Sequence, residues 1–380
     1  MNGTIYLDNN ATTRVAPECF DAMLGCLRAD YGNPSSKHAT GERARHLVNE
    51  ARARLAELLG AQPAELVFTS GGTESNHLAI LGALALDPRR QHVITSAVEH
   101  PSTLLLLRHL ESRGVRVTVL PVDEQGRLEV AALEAAIAPD TALISLLWAN
   151  NETGVLLPVG QVADMARERQ VLLHVDAVQA VGKCAVDLRR VPVDLLSVSG
   201  HKWHAPKGVG ALFVRKGIKL PPLQFGHQER ARRGGTENVP AIVGLGIAAT
   251  LTAEMLEIDL EHMAGLRERL ERGVRGRIPF ATLNGGEAAR VANTSSIRFG
   301  DLSGEAIVTR LDRVGVCAAL GAACTAGSNA PSHVLTAMGL ETRAALASVR
   351  FSLSRYTTDA EIERVLDLLP GIVRSQAAAA

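Results

Sequence analysis

The 380-residue sequence carries no net charge, forty basic side chains being matched by forty acidic ones. Such a balance supplies no overall field that would draw the chain to nucleic acid or to an anionic membrane, so the expected partners are small molecules and other proteins. A secretory start is also missing. The opening stretch MNGTIYLDNNATTR places an Asp and several Asn where a signal needs a basic start and an apolar run, and no later stretch reads as a membrane span. A cytoplasmic protein is therefore expected. Cysteine is scarce: five residues, an odd number at irregular spacing, argue against a disulfide framework, and no Cys-x-x-Cys pair offers a zinc site. Cys19 and Cys26 lie seven apart in a helical pattern and read as buried apolar residues on one face, and Cys184 reads the same way. Internal repeats and low-complexity linkers are absent too.

What is present is ample apolar material, 46% of residues against 21% charged, enough for a full core and for two domains. From about residue 64 to 215, short apolar runs (ELVFTS, HVITSAV, VRVTVLPV, TALISLLWA, VLLHVDAV, VDLLSVS, GALFVR) alternate with helical stretches. That rhythm predicts an α/β fold with a mainly parallel central sheet and crossover helices. Helical patterns cover 41–59 and 240–275, and the second is expected to link two domains. The later segments NTSSIRF, GEAIVTRLDRVGV and SVRFSLSRYTTDAEIERVLDLL predict a smaller α+β unit, with SQAAAA as frayed helix. Gly244-Leu-Gly-Ile imitates a dinucleotide-binding pattern, but it sits inside a helical run with no strand before it, which points to close helix packing.

In a parallel sheet ligands collect at the carboxyl ends of the strands. There the sequence is rich in polar chemistry. Gly71-Gly72-Thr73-Glu74-Ser75 follows a strand and opens a helix, a pattern that can cradle a phosphate or merely end a strand. Asp176 ends VLLHV, where a buried carboxylate needs a cation; a pyridinium nitrogen would serve, as would an arginine or a helix N-cap role. Lys202 follows DLLSVSGH and is a candidate imine-forming amine, against the commoner surface lysine. His100 follows VITSAVE at the same edge, where its ring can cover another ring and carry protons, or simply cap a helix. The order of cradle, Asp and Lys in one alternating sheet favours the cofactor reading. Residues 320–331, LGAACTAGSNAP, are nearly all small and predict a mobile loop whose one strong nucleophile is Cys324. A cysteine in a turn without a role is the alternative.

The segments YLDNNATT, YGNPSSKH, FTSGGTES, VEHP, WANNETG, HVDAVQAVGK, SGHKWHAPKGVGAL, RRGGTEN and RFSLSRYTT resemble the NifS-like cysteine desulfurases of iron–sulfur cluster assembly, from about residue 4 to 370. The resemblance implies the aspartate-aminotransferase-like fold of pyridoxal 5'-phosphate (PLP) enzymes, in a homodimer. It implies a large cofactor domain over 15–260 and a small domain made of 1–14 and 261–380. By the same resemblance Lys202 binds the cofactor covalently and removes a substrate proton, Asp176 faces the pyridine nitrogen, Gln179 the phenolic oxygen, and His100 stacks on the ring and shuttles protons. Gly72, Thr73, Ser199 and His201 hold the phosphate, Thr236 reaches that of the neighbouring subunit, Asn151 lies beside cofactor and substrate, and Arg350 grips the substrate carboxylate. Cys324 takes sulfur from L-cysteine as a persulfide, hands it to an iron–sulfur scaffold or other acceptor, and is a candidate cluster ligand during transfer. The sequence departs from the family's Ser-Ser-Gly-Ser-Ala-Cys pattern, with Cys317 and then Ala-Ala-Leu-Gly-Ala-Ala before Cys324. Cys317 is expected to pack, with persulfide transfer or a regulatory disulfide as alternatives. Selenocysteine lyase or another sulfur-donating enzyme of the family, an ordinary aminotransferase, and a non-enzymatic sulfur relay are the rival functions.

Overall fold

All seven apolar runs between residues 64 and 215 become strands of one sheet: β2 (Leu66–Thr69), β3 (His92–Ser96), β4 (Arg116–Leu120), β5 (Thr141–Leu147), β6 (Leu172–Asp176), β7 (Leu195–Ser199) and β8 (Gly210–Val214). The computed structural model describes residues 3–321 and 330–377. The strand order is β2-β8-β7-β6-β5-β3-β4, with β8 antiparallel to both neighbours and the other pairs parallel. Every residue of β3, β5, β7 and β8 is buried, which is why these strands read as continuous apolar runs. Helices α1 (Pro17–Ala29), α2 (Ala39–Leu59), α3 (Gly72–Leu86), α4 (Pro101–Glu111), α5 (Val130–Ala136) and α6 (Val159–Glu168) accompany this sheet, followed by α7 (Gln228–Ala231), a single turn with left-handed backbone at Glu229 and Arg230.

The predicted long helix is α8 (Val239–Arg277). Asn238 caps it by accepting from the Ala241 N–H, and Pro240 fits its first turn. Its first half packs on α1 and α2 in the first core, while Leu266, Leu270 and Val274 belong to a second core. The two glycines that imitate a nucleotide motif serve this packing: a Cβ on Gly246 would lie 2.6 Å from the Ala51 Cα, and one on Gly244 2.8 Å from the Met23 sulfur. Contrary to the sequence reading, α8 is long and apolar enough to cross a membrane, but 56% of its apolar window is buried inside the molecule.

The second core gathers around a sheet of order β12-β13-β10-β9, made by β9 (Ala281–Leu283), β10 (Thr294–Phe299), β12 (Ala319–Leu320) and β13 (Ser348–Ser352). Helices α9 (Gly304–Arg313) and α12 (Asp359–Ala377) flank it, with α10 (His333–Ala337) and α11 (Thr342–Leu346) between. From the other end of the chain, β1 (Ile5–Tyr6) pairs in parallel with β11 (Val316–Cys317), and Ile5 and Leu7 enter this second core. Cys19 and Cys26 are buried on one face of α1 as expected, whereas Cys184 is only partly buried against the first core. Cys317 is a half-buried free thiol on β11.

Candidate active site

The carboxyl ends of β2, β3, β5, β6 and β7 open on one cavity of about 290 Å³. Of the residues singled out from sequence, Gly72, Thr73, His100, Asn151, Asp176, Gln179, Ser199, His201, Lys202 and Arg350 all line it. Thr236 does not: it is exposed on the stretch after α7. Cys324 lies outside the described residues, so neither its place nor its candidacy as a cluster ligand is visible; among the described residues no metal-binding group of His, Cys, Asp and Glu occurs.

The cradle is built by glycine. Gly71 has φ of +153°, and a Cβ on Gly72 would lie 2.8 Å from the Val178 side chain. Among the described residues no side chain caps α3, which leaves its first N–H groups to an anion. Asp176 ends β6 with its carboxylate accepting from the Asn76 side-chain amide at 2.7 Å and from the Val178 N–H at 2.9 Å. Among the described residues no arginine pairs with it. A cavity that brings together the Asp176 carboxylate, a glycine-built anion cradle and the Lys202 amine suits PLP, whose pyridinium is cationic and whose phosphate is anionic.

Lys202 follows β7 on one short turn. Its Nζ donates to the main-chain oxygens of Asn10 and Ala11, each at 2.8 Å. Below it lies a fully buried amine that sequence reasoning missed: Lys183 Nζ donates to Asn10 Oδ1 at 3.0 Å and to Gln179 Oε1. Burial, then the charges of Lys202 and Arg350, push the Lys183 amine well below its usual range. Because the Gln179 oxygen accepts from Lys183, its amide nitrogen is left to donate, and it reaches the Asn10 carbonyl at 3.0 Å.

His100 takes up the helix-capping role the sequence allowed, accepting the Ser102 N–H at Nδ1 at the start of α4, and it also borders the cavity. Burial and the positive charges of Lys202 and His333 lower it, against the opposing pull of Asp176. Burial and three neighbouring lysines bring His201 down to about 4, so its ring is neutral near pH 7. Arg350 is buried on β13, donating to Asp8 at 2.7 Å and to the Asn151 carbonyl at 3.0 Å; its Nε has no partner among the described residues. That leaves donor capacity on a guanidinium beside the cavity, the requirement for gripping a carboxylate. Glu152 is a buried carboxyl that accepts from Ser332 Oγ at 2.5 Å.

The class-V aminotransferase model matches residues 5–365. A curated cysteine desulfurase of Trichormus variabilis is 50% identical over 97% of this chain and 93% of its own length, and the cysteine desulfurase NifS of Azotobacter vinelandii is 47% identical over 97% and 92%. Among solved structures, a NifS-like protein superposes with a TM-score of 0.92 at 35% identity, covering 98% of this chain and all of its own. DndA from Streptomyces lividans superposes with a TM-score of 0.79 at 40% identity over 90% and 98%. With these strand-end residues in one cavity and these relatives along nearly its full length, the chain belongs to the class-V aminotransferase family of PLP-dependent enzymes, and within it to the cysteine desulfurases.

Proposed function

We propose that this chain takes sulfur from L-cysteine through Cys324, releases alanine, and passes the persulfide sulfur to an acceptor that builds iron–sulfur clusters. The observation that carries the reading is the joint presence of the Lys202 amine, the Asp176 carboxylate and the glycine cradle in one cavity at the strand ends. Bound there, PLP supplies an electron sink for negative charge developing on the substrate Cα. Lys202 is the residue that holds it covalently, Asp176 keeps the pyridine nitrogen protonated, and Gln179 donates to the phenolic oxygen. His100 covers the ring, and Gly72, Thr73, Ser199 and His201 take the phosphate.

The protein's own steps follow from these places. Arg350 and Asn151 would hold the substrate so that its Cα hydrogen faces Lys202 Nζ, which, displaced from the cofactor by the substrate's own amino group, would remove the proton as a free amine. The Cys324 thiolate attacks the substrate sulfur: an S–S bond forms, the C–S bond breaks, and the electron pair stays with the carbon fragment, which gains protons and leaves as alanine. His100 carries protons between the thiols. A second chain contributes Thr236 in a homodimer, the exposed position of that residue being free for such a contact. Residues 15–260 form the cofactor domain and 1–14 with 261–380 the small one, a division supported by the two separate apolar cores. A cytoplasmic location fits the reduced cysteines of the described chain.

The test is incubation of the purified holoenzyme with L-cysteine while sulfide and alanine are measured together. Cys324→Ala should lose sulfide release by roughly a thousandfold or more while keeping the visible absorbance of bound cofactor. Normal desulfuration by that variant would refute the assignment.

A further inference from the structure

Four residues from three elements form an unbroken hydrogen-bond chain beneath the cavity. The Asn76 amide nitrogen, on α3, lies 2.7 Å from Asp176 Oδ2 and 3.0 Å from Ser102 Oγ. Ser102 Oγ, on the first turn of α4, lies 2.8 Å from His100 Nδ1, and the Ser102 N–H reaches the same nitrogen at 3.1 Å. Donor and acceptor roles can be assigned along this chain. The Asn76 atom facing Asp176 is its NH2 group, which can only donate, so both of its contacts are donations. Ser102 Oγ therefore accepts from Asn76, which leaves its single hydrogen for His100. The backbone N–H of Ser102 can only donate. Two donors thus converge on His100 Nδ1, which must carry the lone pair, and the neutral ring's proton sits on Nε2.

We propose that Asn76 and Ser102 are positioning residues that hold the His100 ring with its proton on Nε2 and its Nδ1 unprotonated, and that tie its orientation to the Asp176 carboxylate. The proposal rests on the reading of His100 and Asp176 as the residues that flank the cofactor, one over the ring and one at its nitrogen. Its consequence is chemical: the neutral ring approaches a thiol or substrate as an N–H donor from Nε2, and it becomes a base there only after giving that proton away. Asn76 has a second sign of this duty. Its carbonyl oxygen is buried without a partner among the described residues, so the side chain is held in place by what its nitrogen donates to.

Among the described residues, the charged and titratable groups around the ring are Asp176 from β6, Lys202 after β7 and His333 from α10, with Glu99 immediately before His100 in the chain. Ser102→Ala leaves all four in place and removes one donor from Nδ1, which makes protonation there easier. The ring's titration midpoint should therefore rise, by about 0.5 to 1 pH unit for one hydrogen bond. Ser102→Thr keeps the hydroxyl and should restore the original midpoint.

The experiment is histidine ¹⁵N NMR on the holoenzyme, with the His100 signal assigned by its loss in His100→Gln. A pyridine-like Nδ1 and pyrrole-like Nε2 in the parent, an upward shift in Ser102→Ala and recovery in Ser102→Thr would establish the relay. A protonated Nδ1 in the neutral parent ring, or a midpoint that Ser102→Ala leaves unmoved, would overturn it. These signals need no turnover, so they stand apart from the sulfide assay: loss of the relay would leave the desulfurase reading intact, and failure of the Cys324 test would not move them.

Discussion

Glu99 shows how much of this site lies under its visible surface. The side chain is wholly buried behind His100; Oε1 accepts from Ser96 Oγ at 2.6 Å and from the Leu147 N–H at 3.1 Å, while Oε2 has no partner among the described residues. Burial, outweighing those two donors and helped by the charge of Asp176, pushes the carboxyl up from 4.5 to about 8. Between those values the folded protein binds a proton that the unfolded chain has released, so this group's contribution to stability is complete below pH 4.5 and declines as pH rises to about 8. Glu99→Gln removes that dependence. The variant's denaturant midpoint, measured relative to the parent, should climb from pH 5 to 8 and level off above; a pH-independent difference would show that Glu99 does not titrate in this window. Residues of this kind were not legible in the sequence. Lys202, Asp176 and His100 stand out because each follows a strand in a polar cluster, and all three line the cavity. Asn10, Asn76, Ser102 and Lys183 carry no local sign of their part, since their partners lie as far as 342 positions away along the chain.

Elements were easier to read than their orientation. The crowding of Ala, Leu, Glu and Arg in 41–59 and 240–275 anticipated α2 and α8. The strands were found equally well, but alternation with helices predicts parallel pairing, and β8 runs antiparallel to β7 and β2. A signal for this existed: β7 ends at Ser199 and β8 begins at Gly210, a gap shorter than a parallel crossover needs. Packing between α2 and α8 is where a small sequence feature has a large effect. Gly246 faces the backbone of Ala51, leaving no room for a side chain, and the obstructing atom is main chain that cannot rotate away. Gly246→Val should destabilise the protein by about 1–3 kcal/mol or more by forcing the helices apart. Gly265→Val, on the same helix where a Cβ would meet nothing within 4 Å, is the control for β-branching and for loss of glycine flexibility. Equal losses of melting temperature in the two variants would mean that close approach is not the reason for Gly246.

At the scale of the whole molecule, the question is what makes two apolar cores act as one enzyme. Arg350 comes from the second core's sheet and Lys202 from the first, yet both line one cavity, so the relative placement of the two units sets the distance between the Arg350 guanidinium and the Lys202 amine. Asn10 sits at that seam. Its side-chain nitrogen donates to the Asn151 carbonyl and to Thr294 Oγ1, and its side-chain oxygen accepts from Lys183 and Asn293. Its main-chain oxygen accepts from Gln179 and Lys202, while its N–H reaches Ser352 on β13. The side chain thus bridges the loop after β5, the buried lysine beneath the cofactor cavity, and β10 of the second sheet. Asn10→Ala removes four side-chain hydrogen bonds and strips one partner each from the buried Lys183 and Asn293 donors, for a loss of about 2–4 kcal/mol. If Asn10 joins the two units, the loss is uneven: hydrogen exchange in the variant should rise first in peptides covering β10 and β13, with the interior of β5 and β7 still protected, and cofactor retention should fall with it. Uniform acceleration across both sheets would instead make Asn10 an ordinary contributor to global stability. The first outcome is the one the geometry favours, because the bonds lost are those that cross between the cores, while the apolar packing inside each core is untouched.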